Sequence, residues 1–567
     1  MQSRWILSAP EEINGGPISW AEICGSDCIA RLLLRKGFTC RDEVDGFLRP
    51  RLKLLSDPFL LPQMDAAVAR IFAAIDRSER VVLFGDYDVD GVTSLALLAE
   101  ILEAFGASPS LFLPLRMEEG YGLSRESVDR CLGCHQPQLL IAVDCGTSSV
   151  SEIAHLTAGG VDVIVVDHHE PKGALPKCAA VVNPKTDRNC RFDYLCSAGL
   201  VFKLCHALLK MRPLPDYDLR GALDLVALAT VADIVPLRGE NRLFVQRGSA
   251  ELAHTNRVGL RRLLQIAAVR TPVATEDIGF RLGPRLNAAG RLSTAERALR
   301  LLTTDDDAEA TGLADCLDKE NRERQEIERQ TLVAAEEQIR STFDPARDAA
   351  IVVSQRGWHQ GVVGIVASRI ARKYHRPTAV IAFDQTGIGK GSARSIAGFH
   401  LVRALEVCAT HLEKFGGHEM AAGLAIREQS LPGFQEAFRA IARQLLSDQQ
   451  LEPHLRLDHE LGLSELNLDF LRWHEMLQPF GNANPQPLFL ARNVGPAAPP
   501  RVIKDKHLSL QLRQRDARRR AVYFDGATRP LPPAPWDVAF RVRPDDYDGE
   551  RLIQIQIEAL RPATSGS

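Results

Sequence analysis

Several acidic and histidine residues directly follow short apolar runs, at positions where parallel strands would end. The runs VVLF, LLIAV and VIVV precede the following residues: Asp86, Asp88 and Asp90; Asp144; Asp167, His168 and His169. Open α/β sheets bind ligands outside the carboxyl ends of their strands, so we expect these loops to converge on one crevice. Carboxylates and imidazoles suit Mn²⁺ or Mg²⁺, and the pattern therefore predicts metal-assisted hydrolysis.

The paired aspartates Asp88 and Asp90 stand two residues apart in one short loop. A divalent cation beside them would relieve their mutual repulsion, although an isolated D-x-D is more often a turn or a cap. The adjacent His168 and His169 cannot both point into an apolar core. One can bind metal while the other faces substrate or is held in its tautomer by a neighbouring carboxylate; on their own, a purely structural role is the alternative. With the other strand-end aspartates and Asp233, these residues could hold two ions about 3.5–4 Å apart.

The elements that must position these residues alternate between β-rich and amphipathic runs. From Arg80 to about Val182 this alternation predicts a parallel sheet with crossover helices, and a second α/β pattern starts at Ala349. Between them, the charged, proline-free stretch 305–341 predicts one long exposed helix that connects two domains. From about Leu455, short alternating runs predict a small all-β domain, with a five-stranded barrel as the candidate.

The chain has 567 residues, which favours about three or four domains of roughly 150 residues each. Its 69 basic and 72 acidic residues nearly balance, so any nucleic-acid surface must be local. The twelve cysteines follow no regular framework and are expected to be reduced thiols. The N-terminal residues lack a signal-peptide pattern and no run reaches ~20 apolar residues, so we expect a cytoplasmic protein without membrane association.

The combined motifs resemble the DHH phosphoesterase superfamily, in the order found in its bacterial single-strand-specific exonucleases. The resemblance runs from about Arg80 to the C-terminus and rests on these segments: GDYDVDG, the Asp144 strand end, DHH at 167–169, TVADIVPL with Asp233, GPRLNAAGR at 283–291, GWHQGVVGIVASR at 357–369 and FGGHEMAAG at 415–423. It implies two α/β domains joined by a long helix, and a C-terminal oligonucleotide-binding (OB) barrel. The expected divisions are a mainly helical segment (1–78), a DHH catalytic domain (79–302), a connecting helix (303–342), a DHH-associated domain (343–450) and an OB domain (455–565).

The resemblance also implies two bound ions, Mn²⁺ or Mg²⁺, and assigns their ligands. These are Asp88, Asp90, Asp144, His168 and Asp233, with His169 beside them in the catalytic shell. Many superfamily members carry a histidine four residues before the first paired aspartate, where this chain has Phe84. Either Asp86 compensates for the missing ligand, or Asp86 caps the loop.

Substrate phosphates are expected to contact polar residues and glycines of the later motifs. The candidates are Arg285, Asn287, Arg291, Arg394, Gly416, Gly417 and His418. Guanidinium groups bind phosphate bidentately, and glycines allow backbone N–H groups to approach it. A helix-end salt bridge at Arg291 and a tight core turn at 415–423 are the structural alternatives.

The barrel candidate contains a basic run centred on Arg518, Arg519 and Arg520, next to Tyr523 and Phe524. Charge runs are usually solvated faces. Because of the resemblance to an OB domain, we expect this one to follow the backbone of single-stranded DNA while aromatic rings stack on bases.

The resemblance implies a metal-dependent 5′–3′ exonuclease that releases mononucleotides from single-stranded DNA in recombination and repair. Polarity and processivity come from the resemblance alone. One alternative is a DHH phosphodiesterase for short oligonucleotides or cyclic dinucleotides, which would need no barrel; another is a non-catalytic DNA-binding replication scaffold, which could lose its ligands. Besides single-stranded DNA, the expected partners are a single-strand-binding protein and a RecQ-type helicase.

Overall fold

The computed structural model describes residues 3–9, 25–116, 118–120, 122–528, 530–547 and 550–563. Within these ranges, no helix is both long and apolar enough to cross a membrane. The cysteines in the same ranges are free thiols, in agreement with their irregular spacing.

The N-terminal segment is shared between two domains. It consists of β1 (Arg4–Leu7), α1 (Asp27–Arg35), α2 (Arg41–Leu48) and α3 (Met64–Asp76). Strand β1 pairs in parallel with β12 (His454–Leu457), and α1 and α2 share a core with the C-terminal barrel. Helix α3 packs on the first α/β domain instead. The strand departs from the helical prediction because its four residues are too few to show a period.

The first α/β domain is built on a five-stranded parallel sheet. Its strands are β2 (Val81–Phe84), β3 (Ser110–Phe112), β4 (Leu139–Val143), β5 (Asp162–Val166) and β6 (Ala180–Val182), in the spatial order β3-β2-β4-β5-β6. Strands β2 and β4 are buried at every residue, because helices cover both faces of the sheet. The winding reverses between β2 and β4, and this topological switch point opens a crevice at their carboxyl ends.

Ten helices surround this sheet and extend the domain in the described chain. They are α4 (Val89–Ala104), α5 (Arg125–His135), α6 (Val150–Ala158), α7 (Ser197–Met211), α8 (Leu223–Ala232), α9 (Gly239–Ala253), α10 (Val258–Ile266), α11 (Thr275–Asp277), α12 (Gly283–Leu292) and α13 (Glu296–Thr303). A π-helical turn, Ile278–Leu282, separates α11 from α12. Helices α4, α7 and α8 contact one another in the domain core, which explains why α4 and α8 are apolar on nearly all sides.

The connecting helix α14 (Asp307–Thr342) has 36 residues and is therefore about 54 Å long. It contacts α10, α12 and α13 at one end and the second α/β domain at the other. The helix is less exposed than its composition predicted, because charged residues on one side are buried as pairs. Arg324 Nη1 donates to Glu328 Oε2 at 3.0 Å, and Glu328 Oε1 lies 2.6 Å from Nε of Arg369.

The second α/β domain contains a five-stranded mixed sheet in the order β10-β11-β9-β8-β7. Its elements are β7 (Ile351–Arg356), α15 (Val363–Tyr374), β8 (Thr378–Phe383), β9 (Ile388–Arg394), α16 (Leu401–Val407), β10 (Lys414–Gly417), β11 (Ala421–Arg427), α17 (Leu431–Leu445) and α18 (Asp448–Leu451). Strands β7 and β8 pair in parallel, and the antiparallel hairpin β10–β11 forms one edge of the sheet.

The C-terminal domain is a closed five-stranded barrel, as the short alternating runs predicted. Its elements, after β12, are β13 (His459–Glu460), α19 (Leu468–Met476), β14 (Phe489–Pro496), β15 (Arg501–Ile503), β16 (His507–Gln514), β17 (Ala517–Tyr523), β18 (Trp536–Tyr547) and β19 (Glu550–Pro562). The ring runs β14-β18-β19-β17-β16 and closes where β16 pairs with β14. Leu508, Leu510 and Leu512 alternate into its core, in agreement with a period of two.

Arg242 of α9 attaches the barrel domain to the first α/β domain. Its buried guanidinium donates to the carbonyl oxygens of Phe47 (2.7 Å), Met476 (2.9 Å) and Leu477 (3.0 Å). Burial lowers the pKa of Arg242 to about 9, which leaves it charged at neutral pH. Ordered carbonyl contacts of this kind fix the relative position of the two domains.

Candidate metal centre and nucleic-acid groove

The loop after β2 is held by a helix cap. Asp88 precedes α4, and its Oδ1 accepts hydrogen bonds from the backbone N–H groups of Asp90 (2.9 Å) and Gly91 (3.2 Å). A Cβ at Gly91 would lie 2.3 Å from the carbonyl oxygen of Asp86, so this position requires glycine for close packing of the loop on the helix. The cap and the packing together fix the direction of the paired aspartates.

The N-terminus of α7 holds two further carboxylates. The backbone N–H groups of Ser197 and Ala198 donate to the two oxygens of Asp90, at 2.7 and 2.8 Å. The Ser197 hydroxyl donates to Asp144 Oδ1 at 2.9 Å. A helix N-terminus favours negative charge, and here it orients two buried aspartates toward the same point.

His168 lies at the centre of the cluster. Its Nε2 atom is close to three carboxylate oxygens, which belong to Asp90 (3.8 Å), Asp144 (3.5 Å) and Asp233 (3.5 Å). Asp233 reaches this point from the C-terminal end of α8. Burial lowers the pKa of His168 to about 3, so its ring is neutral at physiological pH, the form that binds metal.

His169 is oriented by Asp167, the first residue of the same motif. Its Nδ1 lies 2.8 Å from Asp167 Oδ1, which also accepts from the backbone N–H of His168 at 2.7 Å. Burial opposes the charged forms of both partners, but their hydrogen bond lowers the pKa of Asp167 and raises that of His169. The pair therefore fixes the imidazole beside the candidate ligands.

The candidate ligands form overlapping groups. There are three such groups, and within each group the donor atoms all lie within 4.8 Å of one another. The groups are Asp86, Asp88 and Asp144; Asp90, His168 and Asp233; and Asp144, His168 and His169. Asp144 and His168 each belong to two of these groups. The groups therefore share ligands, as neighbouring ions of a two-metal centre require.

Burial, together with mutual repulsion, opposes ionisation of these carboxylates. It raises the pKa of Asp90 to about 6, and the pKa values of Asp86, Asp144 and Asp233 well above their ordinary range. Neighbouring backbone N–H groups favour the charged form of Asp86, yet neither of its oxygens makes a well-formed hydrogen bond within the described chain. A divalent cation would supply the missing positive partner, so this donor set fits Mn²⁺ or Mg²⁺.

Phe84, which occupies the position of the expected histidine, lies in the apolar core. Its ring is 0% exposed and stacks on Phe112 with centroids 5.1 Å apart. Asp86 joins Asp88 and Asp144 in one donor set, whereas Asp88 performs the capping. This arrangement favours the compensating role of Asp86 over the capping role.

Of the two α12 residues Asn287 and Arg285, only Asn287 lies at the candidate metal centre. Asn287 Oδ1 accepts the backbone N–H of Val89 at 3.1 Å, next to Asp88. Arg285 instead donates to Asp318 Oδ1 (2.9 Å) and to a backbone carbonyl of its own helix region. The structure therefore does not bring Arg285 to the centre, because α14 engages its guanidinium.

Arg291 lies between the two α/β domains. Its Nη1 donates to the carbonyl of Gly361 at 3.1 Å. Burial, with the nearby Arg116 and Arg324, lowers its pKa to about 10, so it stays cationic. In the described residues no carboxylate is within salt-bridge distance of Arg291, which contradicts the helix-end salt bridge and leaves its charge for an anionic ligand.

The predicted residues of the second α/β domain belong to β9 and to the β10–β11 hairpin. Arg394 is anchored by its Nη1 to Ser392 Oγ (2.7 Å), and burial lowers its pKa. A Cβ at Gly417 would lie 2.4 Å from a backbone oxygen of the hairpin, whereas a Cβ at Gly416 would have no atom within 4 Å. The tight turn therefore requires glycine at position 417 but not at position 416. Burial lowers the pKa of His418, as do the nearby charges of Lys172 and His169 from the first α/β domain.

The three consecutive barrel arginines have different environments. Arg518 and Arg520 are exposed on the outer face of β17. Arg519 is opposite the buried Leu512, and its Nε donates to the carbonyl of Leu466 at 3.1 Å. The structure does not place Arg519 with the other two, because alternate residues of a strand point to opposite faces.

Two residues at the centre carry no recognisable sequence signal. Ser197 orients Asp144, but a serine at a helix start is common and predicts only a cap. Arg116 lies in a loop, with its guanidinium 4.7 Å from the ring centroid of Tyr87, and its charge acts on Asp86. Both reach the centre through tertiary contacts.

Family models match most of the chain. The DHH family N-terminal domain matches residues 80–230, the DHHA1 domain residues 348–444 and the RecJ OB domain residues 457–559. The single-stranded-DNA-specific exonuclease RecJ of Bacillus subtilis is 37% identical over 495 residues, 86% of this chain and 62% of that protein. RecJ of Escherichia coli K12 is 35% identical over 94% of this chain and 96% of its own length.

Solved structures agree with these matches. The crystal structure of RecJ from Thermus thermophilus in complex with Mn²⁺ has a TM-score of 0.84 and 32% identity, covering 99% of this chain and 80% of that one. A structure of that protein with Mg²⁺ has a TM-score of 0.78 and 30% identity, with coverages of 99% and 79%.

Proposed function

Because this chain belongs to the RecJ family of the DHH phosphoesterases, we propose that it is a metal-dependent exonuclease specific for single-stranded DNA. The observation that carries the proposal is the overlap of donor sets through Asp144 and His168. These sets belong to the first α/β domain, whose His169 and Lys172 are near His418 of the second. The barrel argues against a phosphodiesterase for very short substrates, which would need no strand-binding domain.

Two Mn²⁺ or Mg²⁺ ions bound here would activate a water molecule and stabilise the leaving oxygen. Asp90, His168 and Asp233 would hold one ion, and the donor set that contains Asp86 would hold the other. His169 has Nδ1 fixed by Asp167, whose hydrogen bond raises the pKa of the ring; as an imidazolium, it would donate through Nε2 to a substrate oxygen.

We infer that the substrate strand enters over the barrel and ends at the second α/β domain. Arg394, Gly416 and His418 would bind its terminal phosphate, and Arg291 a phosphate nearer the centre. A cleft bridged by the Arg291–Gly361 contact admits one strand more readily than a duplex. Attack from a 5′ end, release of mononucleotides and a role in recombination and repair are part of the proposal.

We also propose partner proteins and a cellular location for this chain. Single-stranded DNA intermediates are produced by helicases and coated by single-strand-binding proteins, so a RecQ-type helicase and such a protein are the proposed partners. The proposed location is the cytoplasm, where bacterial DNA lies and where the free thiols of the described chain would stay reduced.

Replacement of Asp88 tests the catalytic assignment. Asp88→Asn keeps an oxygen for the helix cap, whereas Asp88→Ala loses it and costs about 1 kcal/mol of stability. Both variants should lose at least roughly 100-fold in rate, because metal charge stabilisation is worth several kcal/mol.

The assay is digestion of 5′-blocked and 3′-blocked single strands, and of blunt duplex, with Mn²⁺ and with Mg²⁺. We expect the natural chain to degrade single strands from an unblocked 5′ end, while a 5′ block prevents this. Equal attack on blunt duplex, or full activity of Asp88→Asn, would contradict the proposed function.

A further inference from the structure

Two large apolar side chains are exposed next to the candidate metal centre. Phe280 is 78% exposed and Ile234 is 69% exposed, the highest values among the large hydrophobic residues described. Single exposed apolar residues are common, but here the turn that carries Phe280 packs on the helix that ends just before Ile234, beside a polar site. Their positions are fixed by the structure around them.

Ile234 directly follows Asp233 and has an unusual backbone conformation. Its φ of 59° lies in the left-handed region, which is unfavourable for a β-branched residue. The side-chain amide of Asn482, from the barrel domain, donates to its carbonyl oxygen at 2.7 Å. This contact holds the strained residue and keeps its side chain in solvent.

Phe280 occupies the middle of the π-helical turn Ile278–Leu282. The two end residues of the turn are fully buried, so Phe280 projects away from the core. The neighbouring Gly279 packs on the last turn of α8, where its Cβ would lie 3.7 Å from Val231 Cγ1. That helix ends next to Asp233, so Phe280 is fixed to the same support as a candidate metal ligand.

The surroundings of Phe280 connect the barrel with the phosphate-binding residues. On one side a cavity of about 130 Å³ extends from Gly279 past Asn287 to Arg291. On the other side the hydroxyl of Thr275 donates to the carbonyl of Phe480, in the same barrel-domain loop as Asn482, at 2.9 Å. This junction connects the barrel-domain loop with Asn287 and Arg291 of α12, so it offers a path from the barrel to the metal centre.

We propose that Phe280, on the turn packed against the helix that precedes Ile234, is a stacking platform for a base of the substrate strand. This inference rests on the proposed function and adds a binding residue to it. An aromatic face binds any base, so the platform would align the strand without reading its sequence. A phosphate at Arg291 and a base at Phe280 would then fix the strand at two points.

Binding measurements on the Asp88→Asn protein test the platform without hydrolysis. A labelled single strand carries one abasic residue, moved through successive positions, and its affinity is followed by fluorescence anisotropy. At one position the missing base should weaken binding by about 5- to 100-fold, the range of a single base–aromatic contact. Adding Phe280→Ala to the Asp88→Asn protein should weaken binding of the intact strand by the same factor as the abasic residue does. It should also abolish the effect of that abasic position.

Matched variants separate stacking from other effects. Phe280→Trp should retain the affinity and the abasic effect, whereas Phe280→Leu, which is apolar without a ring, should lose most of both. Met211→Ala, at another highly exposed apolar residue (60%), should change neither. The platform would be overturned if Phe280→Ala left the abasic profile of the Asp88→Asn protein unchanged, or if that protein bound no strand at all.

The outcomes for the platform and for the proposed function are distinguishable. If the natural chain hydrolyses no single strand but Asp88→Asn shows the abasic coupling, the proposed function fails and the platform stands. If the natural chain is active and the coupling is absent, the platform fails alone.

Discussion

A buried histidine makes the barrel domain sensitive to acid. His474 of α19 is 1% exposed, and neither ring nitrogen has a hydrogen-bond partner within the described chain. Its ring packs among Phe470, Phe480 and Phe489, with centroids 6.0, 5.4 and 6.1 Å away. Burial alone lowers the pKa of His474 from 6.5 to about 4, because this apolar environment disfavours the imidazolium.

The direction of the pH effect follows from that shift. Between pH 6.5 and about 4 the unfolded chain binds a proton at His474 and the folded chain does not. The free energy of unfolding therefore falls as the pH falls through this range, and the contribution of the neutral ring is fully present above it. The full loss is about 3 kcal/mol, and most of it occurs between about pH 7.5 and about pH 4.5.

Replacement by leucine isolates this contribution. Denaturant unfolding of the natural chain and of His474→Leu at both pH values can be followed by tryptophan fluorescence, because Trp473 and Trp536 lie in the same core. The carboxylates titrate equally in both proteins, so the natural chain should lose about 2–3 kcal/mol more than the variant. Equal losses in the two proteins would refute the reasoning.

Three further variants test the assigned contacts. Ser197→Ala removes the hydroxyl that orients a candidate ligand, and should weaken Mn²⁺ binding about 10- to 100-fold in calorimetric titration while the melting temperature changes little. Arg518→Ala with Arg520→Ala should weaken binding of a long single strand and reduce its salt slope by roughly 0.7 per lost phosphate contact. Arg519→Ala should instead destabilise the barrel by about 1–3 kcal/mol, with an unchanged salt slope, because it leaves the Leu466 carbonyl without its donor.

The convergence of the strand-end residues was predictable because it depends on topology alone. Parallel strands present their carboxyl ends at one edge, so Asp88, Asp144 and His168 had to lie near one another once the sheet was recognised. The barrel was predictable for a related reason, since its strands show a period of two. The same period of two would have predicted that Arg519 points to the opposite face of its strand from Arg518 and Arg520. The prediction missed this because it considered only the number of charges.

The remaining features depend on contacts between residues far apart in the chain. Arg285 pairs with Asp318 on the connecting helix, and the low apolar content of that helix concealed how much of it is buried. Helices α1 and α2 join the barrel at the other end of the chain, where Arg242 secures the contact. Contacts of this kind cannot be predicted from a local period or spacing, because they depend on a segment far away in the sequence.

Helix α12 links metal binding to the width of the cleft. Asn287 accepts from the loop that carries Asp88, and a Cβ at Gly290 would lie 2.9 Å from the carbonyl oxygen of Tyr87 in that loop. One turn after Asn287, Arg291 donates to the second α/β domain. A movement that widened the cleft to admit a duplex would pull on this helix and displace the metal-binding loop. We therefore expect variants that loosen this connection to lose strand selection and catalysis together.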